Sequence, residues 1–318
     1  MSTSQASSVR RISVRIDSAT LIPEKLRTAA LPAPKSGKIE LSGGCNFNCS
    51  YCSRTVSNNS GEMDRALFSR IIREMYGDGI RSIGLFFIGE SFLVPWLPLA
   101  IEECKAVGFD YVFLTTNGSI ATPNRVSACM EAGLNSLKFS MNYADAGQLA
   151  DVARVTPRMF DQVIRNLAEA RRIRDEGGYN CGIYASSILY DGEQRERMQA
   201  LVDRIAPLVD EHYFLPCFSM QGAADNAGFA RSAGNPGRVG ALREPLPCWS
   251  LWSYHIDHLG RMIACCFGNG ADDSMVMGDL REQSFMDAWN SEKFQALRAA
   301  HLRKDVTGTP CEHCIARA

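Results

Sequence analysis

The sequence has no apolar run near the ~20 residues that a membrane span needs, and residues 1–8 are small and polar, without the apolar core of a secretion signal. It also lacks an excess of either charge. Its 34 Lys and Arg against 35 Asp and Glu leave a net charge of −1, which offers no footprint to a nucleic acid or an anionic membrane. The expectation is a cytoplasmic chain with no nucleic-acid or membrane partner. No internal repeat is present. What the chain has in quantity is cysteine, twelve residues in 318. Without a secretion signal, that number points to metal binding or catalysis rather than to a disulfide framework. The length and a hydrophobic content of 46% allow one large and one smaller domain around a substantial core.

Eight cysteines have ligand-like spacing: Cys45, Cys49, Cys52, Cys248, Cys265, Cys266, Cys311 and Cys314. Cys104, Cys129, Cys181 and Cys217 are scattered, and the first two read as small buried hydrophobes inside helical patterns. The run Cys45, Cys49, Cys52 directly follows a short apolar strand. Thiolates at that density suit an electron-transferring iron centre. Three ligands are one short of the four that close an iron–sulfur cubane, which leaves one iron for something other than protein. Zinc on the same run is the alternative.

From Lys38 onward strand and helix alternate. Strands are expected at 38–42, 82–88, 111–116, 136–140, 181–189 and 212–217, and helices at 63–76, 97–107, 125–132, 157–174 and 194–208. Such alternation gives an α/β fold, a parallel sheet covered by helices as in a complete or partial barrel. Chemistry in such folds lies at the C-terminal strand ends. The cysteine loop falls there, as do Gly89, Glu90, Asn117, Asn142 and Cys217. The alternating stretch 11–16 reads as a short strand, 31–35 as a linker, and the Gly-, Ala- and Asn-rich stretch 222–244 as a boundary. Beyond it come a hairpin over 252–265, with His255 and His258 facing solvent or the core, and an amphipathic helix over 284–303.

Together these residues resemble the radical S-adenosylmethionine (SAM) superfamily. Cys45, Cys49 and Cys52, with Phe47 inside the run and Tyr51 before its last cysteine, match that family's cluster loop. The resemblance implies a partial (β/α)6 TIM-type barrel holding a 4Fe–4S cluster whose open iron chelates SAM. The reduced cluster cleaves SAM to a 5′-deoxyadenosyl radical. Gly89 and Glu90 match half of the family's Gly-Gly-Glu-Pro stretch, here flanked by Ile88 and Ser91, and imply a carboxylate on the SAM ammonium. Ser140 and Asn142 fall where the family contacts the ribose, and Asn117 completes the expected cofactor-binding set. Ser186 and Ser187 are weaker matches for the SAM carboxylate.

The C-terminal part resembles the SPASM or twitch extension, which binds an auxiliary cluster. Cys248, Cys265 (with four residues between it and Gly260), Cys311 and Cys314 supply the four thiolates this implies for a second 4Fe–4S cluster; a zinc ribbon fits the same spacing. The domains expected are an N-terminal extension over 1–36, a radical SAM core barrel over 37–222 and the auxiliary-cluster domain over 223–318.

Adjacent residues on a strand point to opposite faces, so one of Cys265 and Cys266 is spare. Cys217, at the end of the sixth strand, is spare as well. A spare thiol that returns a hydrogen atom to a substrate radical inverts the carbon without net oxidation. Cys217 and Cys266 are therefore the expected catalytic donors, in a carbohydrate epimerase of the kind that tailors sugars and aminocyclitols in antibiotic biosynthesis. One alternative is a dehydrogenase that passes a second electron to the auxiliary cluster; another is an electron-transfer protein without SAM chemistry. The expected partners are a sugar or oligosaccharide and an external electron donor such as flavodoxin or ferredoxin. Tyr143, Asp145 and Asp257 are polar candidates for sugar hydroxyls or amines.

Overall fold

Six strands alternate with helices from residue 36 onward, in a computed structural model that describes residues 11–56, 60–189, 193–218, 246–268 and 273–315. The expected boundary stretch, 222–244, and the polar stretch 1–8 lie outside the described residues. The six strands are β1 Ser36–Ile39, β2 Ser82–Gly84, β3 Tyr111–Thr116, β4 Ser136–Ser140, β5 Gly182–Leu189 and β6 Glu211–Pro216. Three more strands come after them: β7 Tyr254–Ile256, β8 Arg261–Ile263 and β9 Val276–Asp279. The helices are α1 Ile12–Thr20, α2 Arg65–Gly77, α3 Leu97–Val107, α4 Pro123–Glu131, α5 Ala146–Ala153, α6 Met159–Gly177, α7 Gln194–Ile205, α8 Phe285–Trp289, α9 Glu292–Leu302 and α10 Glu312–Ile315.

All nine strands join one sheet in the order β6-β5-β4-β3-β2-β1-β7-β8-β9. β1 to β6 are parallel, and β7 lies parallel to β1, in effect extending the barrel wall. β8 and β9 turn antiparallel. The hairpin expected from the sequence is present, but its first strand belongs to the barrel sheet. Among the described residues no helix is long and apolar enough to cross a membrane.

Strand alternation gives the sheet two different faces. Along β3, Val112, Leu114 and Thr116 are buried while Tyr111, Phe113 and Thr115 are half-buried. β1 repeats this, with Gly37 and Ile39 buried and Ser36 and Lys38 half-buried. The buried set packs with helix residues such as Ile71, Ile101 and Val126; the half-buried set lines the hollow of the partial barrel. α2 shows how the helices dock. Asp64 caps it by accepting from Leu67 N at 2.8 Å, and Phe68, Ile71, Ile72 and Met75 form the buried stripe.

Two expectations are corrected. The stretch 11–16 is helical, not a strand: Ile12, Ile16 and Thr20 recur at helical spacing and turn toward the protein. A pattern this short fits both periods, and tertiary contacts decide. Ser13 donates to Glu211 at the start of β6, while Arg15 donates to Ser82 of β2 at 2.8 Å and lies 3.4 Å above the Tyr111 ring of β3. α1 thereby closes the floor of the barrel. The single helix expected over 284–303 is two, α8 and α9. It breaks because Asn290 exchanges two hydrogen bonds with the Leu31 backbone and Ser291 starts a new helix, accepting from Phe294 N at 3.3 Å.

Candidate functional site

The cysteine loop leaves the end of β1 and rests on the C-terminal end of α5. Asn48 N donates to Ala153 O at 3.0 Å and Ser50 N to Val152 O at 2.9 Å. Arg54 donates to Phe47 O at 2.9 Å, and Phe47 and Tyr51 are buried beneath the loop. Cys45 Sγ receives Phe47 N at 3.4 Å and Asn117 Nδ2 at 3.8 Å. Burial raises all three thiols, Cys45 to about 11 and Cys49 to about 12, the latter also repelled by Cys52 and Cys45. Such thiols stay protonated at neutral pH until a bound cation deprotonates them. Among the described residues no three His, Cys, Asp or Glu groups converge as one metal ion requires. A cubane spreads its thiolates over separate irons, and three thiols along one enclosed loop fit it.

Glu90 sits directly beside this loop. Its N donates to Gly44 O at 2.8 Å. Its buried carboxylate accepts from Thr116 Oγ1 at 2.9 Å and Phe92 N at 3.1 Å on Oε1, and from Asn117 N at 2.7 Å on Oε2. Burial raises the Glu90 pKa against these donors. Oε2 keeps one acceptor position, so the charge is held in place without being fully engaged. Gly89 comes closer still: a Cβ there would lie 1.9 Å from Ser42 O and 2.7 Å from Gly44 O. Both are backbone atoms that cannot swing aside. Gly89→Ala is expected to displace the cysteine loop at a cost of ~3 kcal/mol, read as a lower melting temperature and lower iron incorporation.

Asn142 Nδ2 donates to Tyr51 OH at 2.6 Å, and its Oδ1 accepts from Ile188 N at 3.0 Å, tying β4 and β5 to the loop. Asn117 also donates to Asn46 Oδ1 at 2.9 Å. Ser140 is half-buried on the hollow face, level with Ser186 of β5, whereas Ser187 bonds His212 at 2.9 Å. The other polar candidates have local tasks. Asp145 caps α5 through Gln148 N at 2.8 Å, Asp257 holds the Arg261 guanidinium at 2.6 Å, and the buried Tyr143 ring packs edge-on against Phe160.

One pair escaped the sequence reading. Glu40 accepts from Ile88 N and Gly89 N at 2.9 and 2.8 Å, and its other oxygen lies 3.0 Å from His258 Nδ1. It clamps the loop bearing Gly89 to the β7–β8 turn. The only signal was a glutamate interrupting an apolar strand. A glutamine has one acceptor oxygen and cannot serve both sides, so Glu40→Gln is expected to cost ~1–3 kcal/mol in denaturant unfolding.

The second thiol set gathers beyond β7. Cys248 and Cys314 pack with Trp249 and Phe267, and Cys248 lies within the electrostatic reach of Cys266, Cys311 and Cys314. β8 ends at Ile263, so Cys265 and Cys266 lie in a turn instead of on opposite faces of a strand, and their thiols, both free, are hydrogen-bonded to each other. That hydrogen bond favours the proton on Cys265, and Lys38 favours a thiolate on Cys266. Cys217 is elsewhere. It packs against Tyr51 and Val152, with Cys49 and Ile188 touching the same cluster, and burial raises its thiol to about 11.

A partial parallel barrel, with a three-thiol loop after its first strand and a second set of thiols alongside, is an arrangement that suits an iron–sulfur protein. The chain belongs to the Radical SAM superfamily, whose family model matches residues 39–205, more than half of the sequence. An iron–sulfur cluster-binding domain, SPASM, matches residues 248–315. GTP 3′,8-cyclase of Chlorobaculum tepidum is 30% identical over 132 residues, 41% of this chain and 39% of that one. PqqA peptide cyclase of Methylobacterium nodulans is 31% identical over 122 residues, 38% of this chain and 32% of that one. The chain thus spans about two fifths or less of these curated relatives. Among solved structures, BtrN in complex with AdoMet and 2-DOIA has a TM-score of 0.57 at 18% identity, covering 88% of this chain and 91% of that one. Streptococcus suis SuiB bound to precursor peptide SuiA has a TM-score of 0.67 at 13% identity, covering 85% and 68%. At these identities what is shared is the fold. SAM and a 4Fe–4S cluster are the cofactors of the barrel, and the SPASM domain carries iron–sulfur of its own. Enzymes of this family act on small molecules or peptides and need a reductant.

Proposed function

We propose that the chain is a radical SAM epimerase acting on a carbon of a sugar, oligosaccharide or aminocyclitol. The observation that supports this is Cys217, a buried, protonated thiol packed on Tyr51 and Cys49 yet outside both candidate ligand sets. In this reading Cys45, Cys49 and Cys52 hold the SAM cluster, and Cys248, Cys265, Cys311 and Cys314 hold the auxiliary one. Gly89, Glu90, Asn117, Ser140 and Asn142 bind SAM, with Glu90 Oε2 receiving the ammonium. When bound, the reduced cluster and SAM supply a 5′-deoxyadenosyl radical that takes one hydrogen atom from the substrate.

The chain's own residues decide the fate of the substrate carbon. The Cys217 S–H bond breaks homolytically as a C–H bond forms on the opposite face of that carbon. The resulting thiyl is restored by one electron from an external donor of the flavodoxin or ferredoxin kind and one proton from solvent. Tyr51 and Val152 cover the thiol and keep water from the radical. Cys266 is the second candidate donor, although its neighbours are the auxiliary thiols.

One observation favours a second reading. Lys38, on the hollow face, lies within electrostatic reach of Cys266 and of the auxiliary-set thiol Cys265. A redox centre that close to the hollow suits oxidation of a secondary alcohol, with no hydrogen returned. Product mass separates the two. Reconstituted protein with SAM, a reductant and a panel of aminoglycosides and oligosaccharides is expected to give 5′-deoxyadenosine and a product of unchanged mass but altered retention. A ketone, lighter by two hydrogens, would replace the epimerase with the dehydrogenase. Intact clusters that never yield 5′-deoxyadenosine would sink both.

A further inference from the structure

The wall of the hollow carries two cations that no carboxylate among the described residues neutralises; the acidic groups that act on Lys38 are the thiols Cys266 and Cys265. Lys38 of β1 and Lys138 of β4 both belong to the half-buried set that faces inward. Lys138 Nζ donates to the Tyr213 hydroxyl of β6 at 3.3 Å. Lys38 Nζ lies 5.2 Å from the centre of the Phe86 ring. Neither lysine forms an ion pair among the described residues. Burial lowers Lys138 to about 8; burial also lowers Lys38, with attraction to Cys266 and Cys265 opposing the shift and repulsion from Lys138 adding to it.

Carboxylates on the same wall are engaged elsewhere. Glu40 serves Ile88, Gly89 and His258, and Glu211 serves Ser13 on the barrel floor. A third group faces the same way. The β1–β7 register pairs His255 with Lys38, which puts both side chains on one face. His255 is 0% exposed and stacks 5.5 Å from Phe87, and neither of its ring nitrogens has a hydrogen-bond partner. A fully buried imidazole with both nitrogens idle carries a desolvation cost that a ligand would relieve.

We propose that Lys38, Lys138 and His255 bind an oxyanion of the substrate, phosphoryl or carboxylate. The sugar of the proposed reaction is then an anionic one: a sugar phosphate, a nucleotide sugar or a uronic acid. This specificity rests on the sugar reading above. Lysine suits it because its ammonium is a compact point charge that binds such oxyanions without a fixed fork geometry. Lys38 also borders the auxiliary thiols, so its role must be separated from theirs.

The test is calorimetric titration of the reconstituted, SAM-loaded protein with glucose 1-phosphate, glucuronate and glucose, without reductant. At least one anionic sugar is expected to bind roughly tenfold or more tightly than glucose. Lys38→Met and Lys138→Met should each lose about that factor, while Lys25→Met, on the exposed surface, should not. Affinity should fall as salt rises, and iron content should stay at the wild-type level in every variant. Preference between the two anions identifies the oxyanion. Equal binding of all three sugars, or unchanged anion affinity in the lysine variants, would overturn the site. Loss of auxiliary iron from Lys38→Met without loss of anion affinity would assign that lysine to the cluster and overturn it as well. Binding is read without turnover, so failure here leaves the epimerase reading intact, and failure of inversion leaves this site intact.

Discussion

Cys49→Ala is expected to give a folded protein that forms no 5′-deoxyadenosine above background. The loop around Cys49 is held by backbone hydrogen bonds from Asn48 and Ser50 to the end of α5, none of which involves the thiol. Removing one sulfur therefore spares the loop's path while removing one of its three thiols. With two 4Fe–4S clusters per chain, iron should fall from about eight to about four. Cys311→Ala should remove the other half and leave SAM cleavage measurable, because Cys311 belongs to the second thiol set. Equal loss of SAM cleavage in both variants would mean that the two thiol sets do not hold separate clusters. Iron analysis, Mössbauer spectra and chromatography of 5′-deoxyadenosine on the same samples decide between these outcomes.

Cys217→Ala is expected to do the opposite. SAM cleavage continues, while inverted product falls to background. The side chain is small, so its truncation next to Tyr51 and Val152 should cost only ~1 kcal/mol, and the barrel should stay folded. Cys217→Ser is the sharper variant, since it keeps shape and polarity. An alcohol O–H bond is stronger than the C–H bond it would have to make, so serine should be as silent as alanine. Product formation in the serine variant would remove Cys217 from the reaction and transfer the role to Cys266.

Much of the barrel was legible because parallel strands covered by helices on one side leave short runs of alternating or continuous apolar residues. β3 and β4 appear where their alternation predicts them. β2 is shorter than its apolar run because the chain bends at 85–89 to bring Gly89 against Ser42 O. α5 was missed: AGQLADVA is short and rich in small residues, and its importance lies in the hydrogen bonds its end makes to the cysteine loop. The cysteine loop itself was legible from chemistry, since three thiols so close in sequence serve few purposes. Glu40 and His258 were not, because their meaning is a contact between residues 218 positions apart. Lys38 and Lys138 were hidden for a related reason. A lone lysine in an apolar strand is ordinary until register and barrel closure show that two of them, with His255, face one hollow.

The central claim is that a thiol of this chain returns hydrogen to the carbon from which the adenosyl radical took it. A thiol exchanges its proton with solvent, whereas the abstracted hydrogen leaves with 5′-deoxyadenosine. The most direct measurement is turnover in D2O with whichever sugar of the panel supports product formation, read by mass spectrometry and NMR. One deuterium at the inverted carbon, absent in Cys217→Ala and Cys217→Ser, is the predicted result. An inverted product without solvent deuterium, or an oxidised product lighter by two hydrogens, would contradict it.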